Sequence, residues 1–170
     1  MFTGIYQAFE RLARYLAWLG VLALIGAAGV TVFDVLVRRT LGFTVLGMVD
    51  ITQLLVMSGV FLSIPYAFFR EHHVGVDFIT DTLPPRALAG LKCVVAIAGL
   101  VFMGACGLYA WDQATQQVNI GDVSQTAGIP MVWYWAPLLT GCALSVLACL
   151  FMAVRFAGQA VRPAQPAANA

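Results

Sequence analysis

The residues that could carry chemistry are few, and most of them are charges near the ends of long apolar stretches. Asp34 and Arg38 are four positions apart, a spacing that puts both side chains on one face of a helix. With Arg39 and Asp50 they predict an ion-pair cluster that fixes the turn between two helices and offers contacts to a partner. The alternative is a set of solvated boundary charges, and the sequence leaves both possibilities open.

Catalytic and cofactor chemistry find little support. His72 and His73 are adjacent, so they cannot supply the facing pair from two helices that a membrane haem needs. The cysteines all lie in apolar stretches without CxxC spacing: Cys93, Cys106, Cys142 and Cys149. The sequence contains no P-loop, HExxH, GxSxG or GxGxxG pattern. We therefore expect no catalytic residue, no metal site, no cofactor and no enzyme activity.

Membrane-spanning helices must position these residues. The chain has 170 residues, of which 61% are hydrophobic and only 10% charged, whereas soluble domains carry roughly 25% charged residues. Four apolar runs lack charged residues and histidine: Tyr15–Phe33, Ile51–Phe69, Cys93–Trp111 and 131–154. A helix needs about 20 residues to cross the hydrocarbon core of a bilayer. The sequence therefore predicts an all-α integral membrane protein with four transmembrane helices.

The distribution of Lys and Arg predicts the orientation in the membrane. Seven of the nine basic residues fall at one set of helix ends, and only Arg38 and Arg39 fall at the other. Because basic loops resist translocation, we expect both termini in the cytoplasm. The net charge of +1 provides no basic patch for nucleic acid. Residues 1–162 are expected to form a single transmembrane domain, followed by a disordered cytoplasmic tail at 163–170.

An amphipathic segment precedes the first apolar run. Its apolar residues repeat at spacings of three and four: Phe2, Ile5, Tyr6, Phe9, Leu12 and Ala13. The pattern indicates a helix at the membrane surface that leads into the first span. A contact arm for a partner is the alternative.

Small residues at every fourth position mark one face of two predicted helices. The second helix carries Gly59, Ser63 and Ala67, and the fourth carries a longer row: Gly141, Ser145, Cys149 and Ala153. Such rows allow helix backbones to approach closely in lipid. They predict a face packed against this chain's own helices or against another subunit, with lipid contact as the third possibility. We expect no polar cluster that could form a solute pocket within the spans.

Three segments of the sequence carry a resemblance to a known family. They are DVLVRRTLG at the end of the first span, AFFREHHVGVDFITDTLP after the second and GIPMVWYWAPLLTG at the start of the fourth. These segments resemble the small membrane subunit of tripartite ATP-independent periplasmic (TRAP) transporters, the DctQ-type family. His73 and Asp77 match its first signature, and Pro130 and Tyr134 match its second. The chain departs from the family where residues 46–50 replace the usual Trp and paired acids.

The resemblance implies a non-catalytic small subunit that braces a large permease subunit. In such systems a periplasmic solute-binding protein delivers a small organic acid, and the large subunit imports it with a sodium gradient. The implied partners are the large permease subunit, the binding protein and membrane lipid, and the implied location is the bacterial inner membrane. The alternatives are an autonomous four-helix transporter and a membrane redox subunit. The spans contain no deep ionisable residue, which favours the bracing role because ion-coupled transporters usually keep one there.

Overall fold

The computed structural model describes residues 2–43, 45–70 and 85–161, which form four long helices. The helices are α1 (Phe2–Leu41), α2 (Met48–Phe69), α3 (Pro85–Ile120) and α4 (Val132–Val161). Each is long and apolar enough to cross a membrane. The prediction of an all-α protein with four transmembrane helices is confirmed, and the chain is a multi-pass membrane protein. The orientation with both termini inside stays a prediction.

The amphipathic lead-in is the beginning of α1 and continues directly into the first span. α1 runs for 40 residues, about 60 Å at 1.5 Å per residue, which is about twice the hydrocarbon thickness. The ring of Tyr6 meets that of Phe69 edge-on at 5.5 Å between centroids, and the ring of Phe9 lies 5.9 Å from that of Phe151. The apolar face of the segment therefore packs on the ends of α2 and α4 of the same chain.

The helices pack in the order α1–α2–α4–α3. α1 and α2 are antiparallel, as are α3 and α4. α2 and α4 run in the same direction, because Phe61 lies against Gly141 and Asp50 against Tyr134. The start of α2, the end of α3 and the start of α4 consequently meet at one end of the molecule. We call this the Asp50 end, and the opposite end, where α2 finishes, the Arg70 end.

α1 and α2 approach closely where two glycines face each other. A Cβ on Gly20 would lie 2.7 Å from the carbonyl oxygen of Gly59, and a Cβ on Gly59 would lie 3.0 Å from the carbonyl oxygen of Gly20. The Ser63 hydroxyl donates to the Gly59 carbonyl at 2.7 Å, so its polar atom is satisfied within α2. The small row of α2 thus contacts α1 through Gly59 and Ser63, whereas Ala67 is exposed.

The small row of α4 begins against α2. A Cβ on Gly141 would overlap the carbonyl group of Phe61. Ser145, one turn later, is fully buried, and its hydroxyl donates to the Gly141 carbonyl at 2.7 Å. The sequence allowed this row to face the chain's own helices, another subunit or lipid. In the structure it packs against the chain's own helices.

The rest of the row faces α3. The sulfur of Cys149 lies 3.1 Å from the position of a Cβ on Gly99. The Cys93 thiol approaches the carbonyl oxygen of Ala153 at 4.0 Å. Because it contacts both α2 and α3, α4 is one of the two inner helices of the row, and α2 is the other.

Candidate functional site

α2 begins at the Asp50 end with a glycine whose conformation and size are both required. Gly47, which precedes Met48, has a φ of 86°, in the left-handed region that favours glycine. A Cβ there would also lie 3.0 Å from the Cβ of Ala127. Asp50 occupies the first turn of α2, where unpaired backbone N–H groups favour a negative charge. Gly47 therefore allows the connection between α3 and α4 to approach Asp50.

The connection between α3 and α4, residues 121–131, is held by hydrogen bonds within itself. The N–H of Ser124 donates to the carbonyl of Ile129, and the N–H of Ile129 donates to the Ser124 hydroxyl, both at 2.9 Å. Gly128 has a φ of 66°, which allows the backbone to reverse within this short segment. The loop is therefore held in shape in part by its own hydrogen bonds.

The Asp50 carboxylate binds this loop directly. Its Oδ2 accepts three hydrogen bonds, from the N–H of Thr126 at 2.9 Å, the hydroxyl of Thr126 at 2.8 Å and the N–H of Ala127 at 2.7 Å. The Tyr134 hydroxyl donates to the backbone carbonyl of Asp50 at 2.9 Å. Asp50 and Tyr134 are buried, with 7% and 5% exposure. We call these four residues the Asp50 clasp, since they fasten α2 to the α3–α4 connection and to α4.

The charge cluster predicted from the sequence is divided in the structure. Arg38 donates to Oδ2 of Asp34 at 2.8 Å, as their spacing indicated. Oδ1 of Asp34 is buried and has no hydrogen-bond partner in the part of the chain that the structure describes. Arg39 is exposed and forms no ion pair with a described residue. Asp50 binds backbone N–H groups and a threonine hydroxyl instead of an arginine.

The residues singled out by the family resemblance are partly described. Pro130 forms an isolated antiparallel bridge with Val123 inside the loop, and Tyr134 belongs to the Asp50 clasp. His73 and Asp77 lie outside the described residues. Both described members of the second signature therefore shape or fasten the α3–α4 connection.

Sequence reasoning missed two members of the clasp, Thr126 and Ala127. Hydroxyl residues just before a glycine turn are a signal for a loop that bonds to its own backbone. That signal does not reveal which distant residue the loop contacts, because Asp50 lies 76 positions before Thr126. Only the packing of α2 beside α4 brings them together.

A polar cleft opens beside the clasp, between α2, the end of α3 and the start of α4. Its open volume is about 410 Å³. It is lined by Val49, Asp50, Gln53, Met57, Gln117, Ser124, Gln125, Met131, Tyr134 and Trp135. The indole N–H of Trp135 donates to the Gln117 side-chain oxygen at 2.8 Å. Three glutamines line this cleft at the helix ends, Gln53, Gln117 and Gln125, whereas the absence of a solute pocket within the spans stays a prediction. We call this the Asp50 cleft.

The chemistry available at the Asp50 end is binding. Within the described ranges, no group of three His, Cys, Asp or Glu side chains could hold a metal ion. Cys142 and Cys149 are buried free thiols. The clasp fastens helices through hydrogen bonds, and the cleft offers amide, hydroxyl and carboxylate groups to a ligand or partner.

Four apolar helices, fastened at one end by a buried carboxylate, define a multi-pass α-helical membrane protein whose polar contacts concentrate at that end. Residues 27–162 match the family model of the DctQ component of tripartite ATP-independent periplasmic transporters. The chain belongs to this family, the small subunit of TRAP transporters. The matched region includes every residue of the Asp50 clasp. A comparison with curated proteins gives no match.

Proposed function

We propose that the chain is a non-catalytic subunit of the bacterial inner membrane that braces a large permease subunit during sodium-driven import of a small organic acid. A periplasmic binding protein delivers the acid to the assembled membrane complex. The observation that carries this proposal is the family match over residues 27–162, which assigns the chain to a transporter component.

The positions of the charged side chains support a bracing role. In the part of the chain that the structure describes, every Asp, Glu, Lys and Arg lies outside the four charge-free runs, 15–33, 51–69, 93–111 and 131–154. Ion-coupled transporters usually keep an ionisable side chain deep in the membrane. Burying it there costs free energy, and the residue is retained because transport requires it. Transport chemistry is therefore expected in the large subunit, with this chain supplying rigid contacts.

The outer helices of the row offer surface for those contacts. α1 and α3 flank α2 and α4 and expose large apolar side chains such as Leu22 and Val101, at 60% and 66%. Apolar faces of this kind suit both lipid and another membrane subunit. The clasp stiffens the end at which three helices meet, which supports a scaffold that keeps its shape while the large subunit moves.

Reconstitution tests the proposal. The chain, the large subunit and the binding protein are combined in proteoliposomes, and uptake of a radiolabelled acid is measured, the acid being chosen by a thermal-shift screen of the binding protein. We expect uptake only with all three components and an inward sodium gradient. Uptake by this chain alone would support the autonomous transporter instead, and undiminished uptake without it would contradict the bracing role.

A further inference from the structure

The described residues give the Asp50 cleft a negative charge. Among those that line it, Asp50 is the one that is charged, and the other groups are amides, hydroxyls, thioethers and apolar or aromatic side chains. The basic residues of this end, Arg38 and Arg39, belong to α1 and do not line the cleft. Asp112 and Asp122, at the end of α3 and in the following loop, are exposed and give this end of the molecule further negative charge outside the cleft lining.

Hydrogen bonds satisfy the Asp50 carboxylate without neutralising it. The donors from Thr126 and Ala127 are uncharged, and no described cation forms an ion pair with Asp50. Asp50 is only 7% exposed, so little water screens the attraction between its carboxylate and an opposite charge in the cleft. The cleft is therefore complementary to a cation and repels an organic anion.

The uncharged lining suits a cation carried on a long apolar stem. The side chains of Gln53 and Gln125 make no hydrogen bond to other described residues, so their amide oxygens are available to an N–H donor. Trp135 offers an aromatic ring to a cation, and Met57 and Met131 offer apolar contact to methylene groups. Lysine and arginine side chains combine a charged head with such a stem.

One wall of the cleft lies past the apolar run of α3, toward the membrane surface. Gln117, Ser124 and Gln125 all follow the charge-free run that ends at Trp111, so this wall stands beyond the apolar part of α3. We propose that the Asp50 cleft receives a lysine or arginine side chain of the periplasmic binding protein when that protein docks on the membrane complex. This inference rests on the proposed function, which supplies the binding protein and the side of the membrane.

Opposite charges introduced at one exposed position test the proposal. Gln125→Lys and Gln125→Glu are made in the complex of small and large subunits in nanodiscs, and the Kd for the purified binding protein is measured at low and high salt. We expect Gln125→Lys to weaken binding by about tenfold and Gln125→Glu to tighten it by about threefold, with both changes shrinking at high salt. Gln116→Lys and Gln116→Glu, at an exposed site outside the cleft, are the matched controls and should shift Kd by less than about twofold.

Three results would overturn the proposal, and they are distinguishable. If both Gln125 variants bind equally, or if the lysine variant binds more tightly, no cationic side chain occupies the cleft. The proposed function is unaffected by that result. If the two variants instead change co-purification of the large subunit, the occupant belongs to that subunit. If the unaltered complex does not bind the binding protein at all, the proposed function fails as well.

Discussion

Asp50 connects two parts of the chain that no local pattern relates. Removing one partner of a hydrogen bond to a charged group costs about 1.5–3 kcal/mol, and a single oxygen of Asp50 accepts three such bonds. The Asp34–Arg38 pair differs, since the Arg38 side chain is 59% exposed, and pairs of this kind on a helix contribute about 0.3–0.5 kcal/mol. Between these two contacts, the clasp makes the larger contribution to stability at this end.

Replacing Asp50 should therefore destabilise the isolated subunit. Asp50→Ala leaves the N–H groups of Thr126 and Ala127 without their acceptor, and we expect a loss of about 2–4 kcal/mol in the free energy of unfolding. Tyr134→Phe removes one hydrogen bond to a backbone carbonyl and should cost about 1 kcal/mol. Melting in detergent can be followed with a thiol-reactive dye, because Cys142 and Cys149 are buried until the protein unfolds.

The control for the clasp is Arg39→Ala, which changes an exposed charge at the same end of the molecule. Surface substitutions of this kind usually stay within about 0.5 kcal/mol. Equal melting of Asp50→Ala and Arg39→Ala would show that the clasp adds nothing to stability.

α4 joins the two halves of the fold because its small residues admit a neighbour on either side. Gly141 packs against the backbone of α2 at Phe61, and Cys149 packs against α3 at Gly99. Close approach of this kind stabilises helix pairs in lipid, where the hydrophobic effect does not drive helices together. The stability of the subunit should therefore depend more on the buried face of α4 than on its exposed face.

Ser145→Leu tests the buried face. Ser145 is fully buried, so the added volume should force neighbouring helices apart and cost about 1–3 kcal/mol. Insertion into the membrane should not suffer, because leucine is itself favourable there. We expect a lower melting temperature for the subunit expressed alone, in the absence of any partner.

Ala143→Leu on the exposed face of α4 is the matched control, and it should leave the melting temperature unchanged. If Ser145→Leu melts like the unaltered protein and only loses the large subunit in co-purification, the row faces that partner and the internal packing described above is wrong.

For the molecule as a whole, the sequence predicted where the helices lie better than it predicted which helices contact one another. Charge-free runs located all four spans because a buried charge in lipid is costly. The periodicity of residues 2–13 predicted an amphipathic lead-in, and because no proline separates it from the first span, α1 is continuous. Small-residue spacing marked Gly59 but not its partner Gly20, since a row of small residues identifies a face without identifying the helix that meets it. The Asp50 clasp required the helix order, which no local pattern encodes.

Orientation decides whether the Asp50 end can meet a periplasmic protein, and the basic residues predict it. The Arg70 end carries five basic residues with described side chains, Arg11, Arg14, Arg70, Lys92 and Arg155, and the Asp50 end carries Arg38 and Arg39. Since basic ends stay in the cytoplasm, alkaline phosphatase fused after Gly121 should be active, and a fluorescent protein fused at the C-terminus should fluoresce. A phosphatase fusion at residue 80, between α2 and α3, is the control and should be inactive. If the fusion after Gly121 is inactive and the one at residue 80 is active, the Asp50 cleft faces the cytoplasm. The charge argument and docking of a periplasmic protein at the cleft would then fail together, whereas the packing of the four helices would be unaffected.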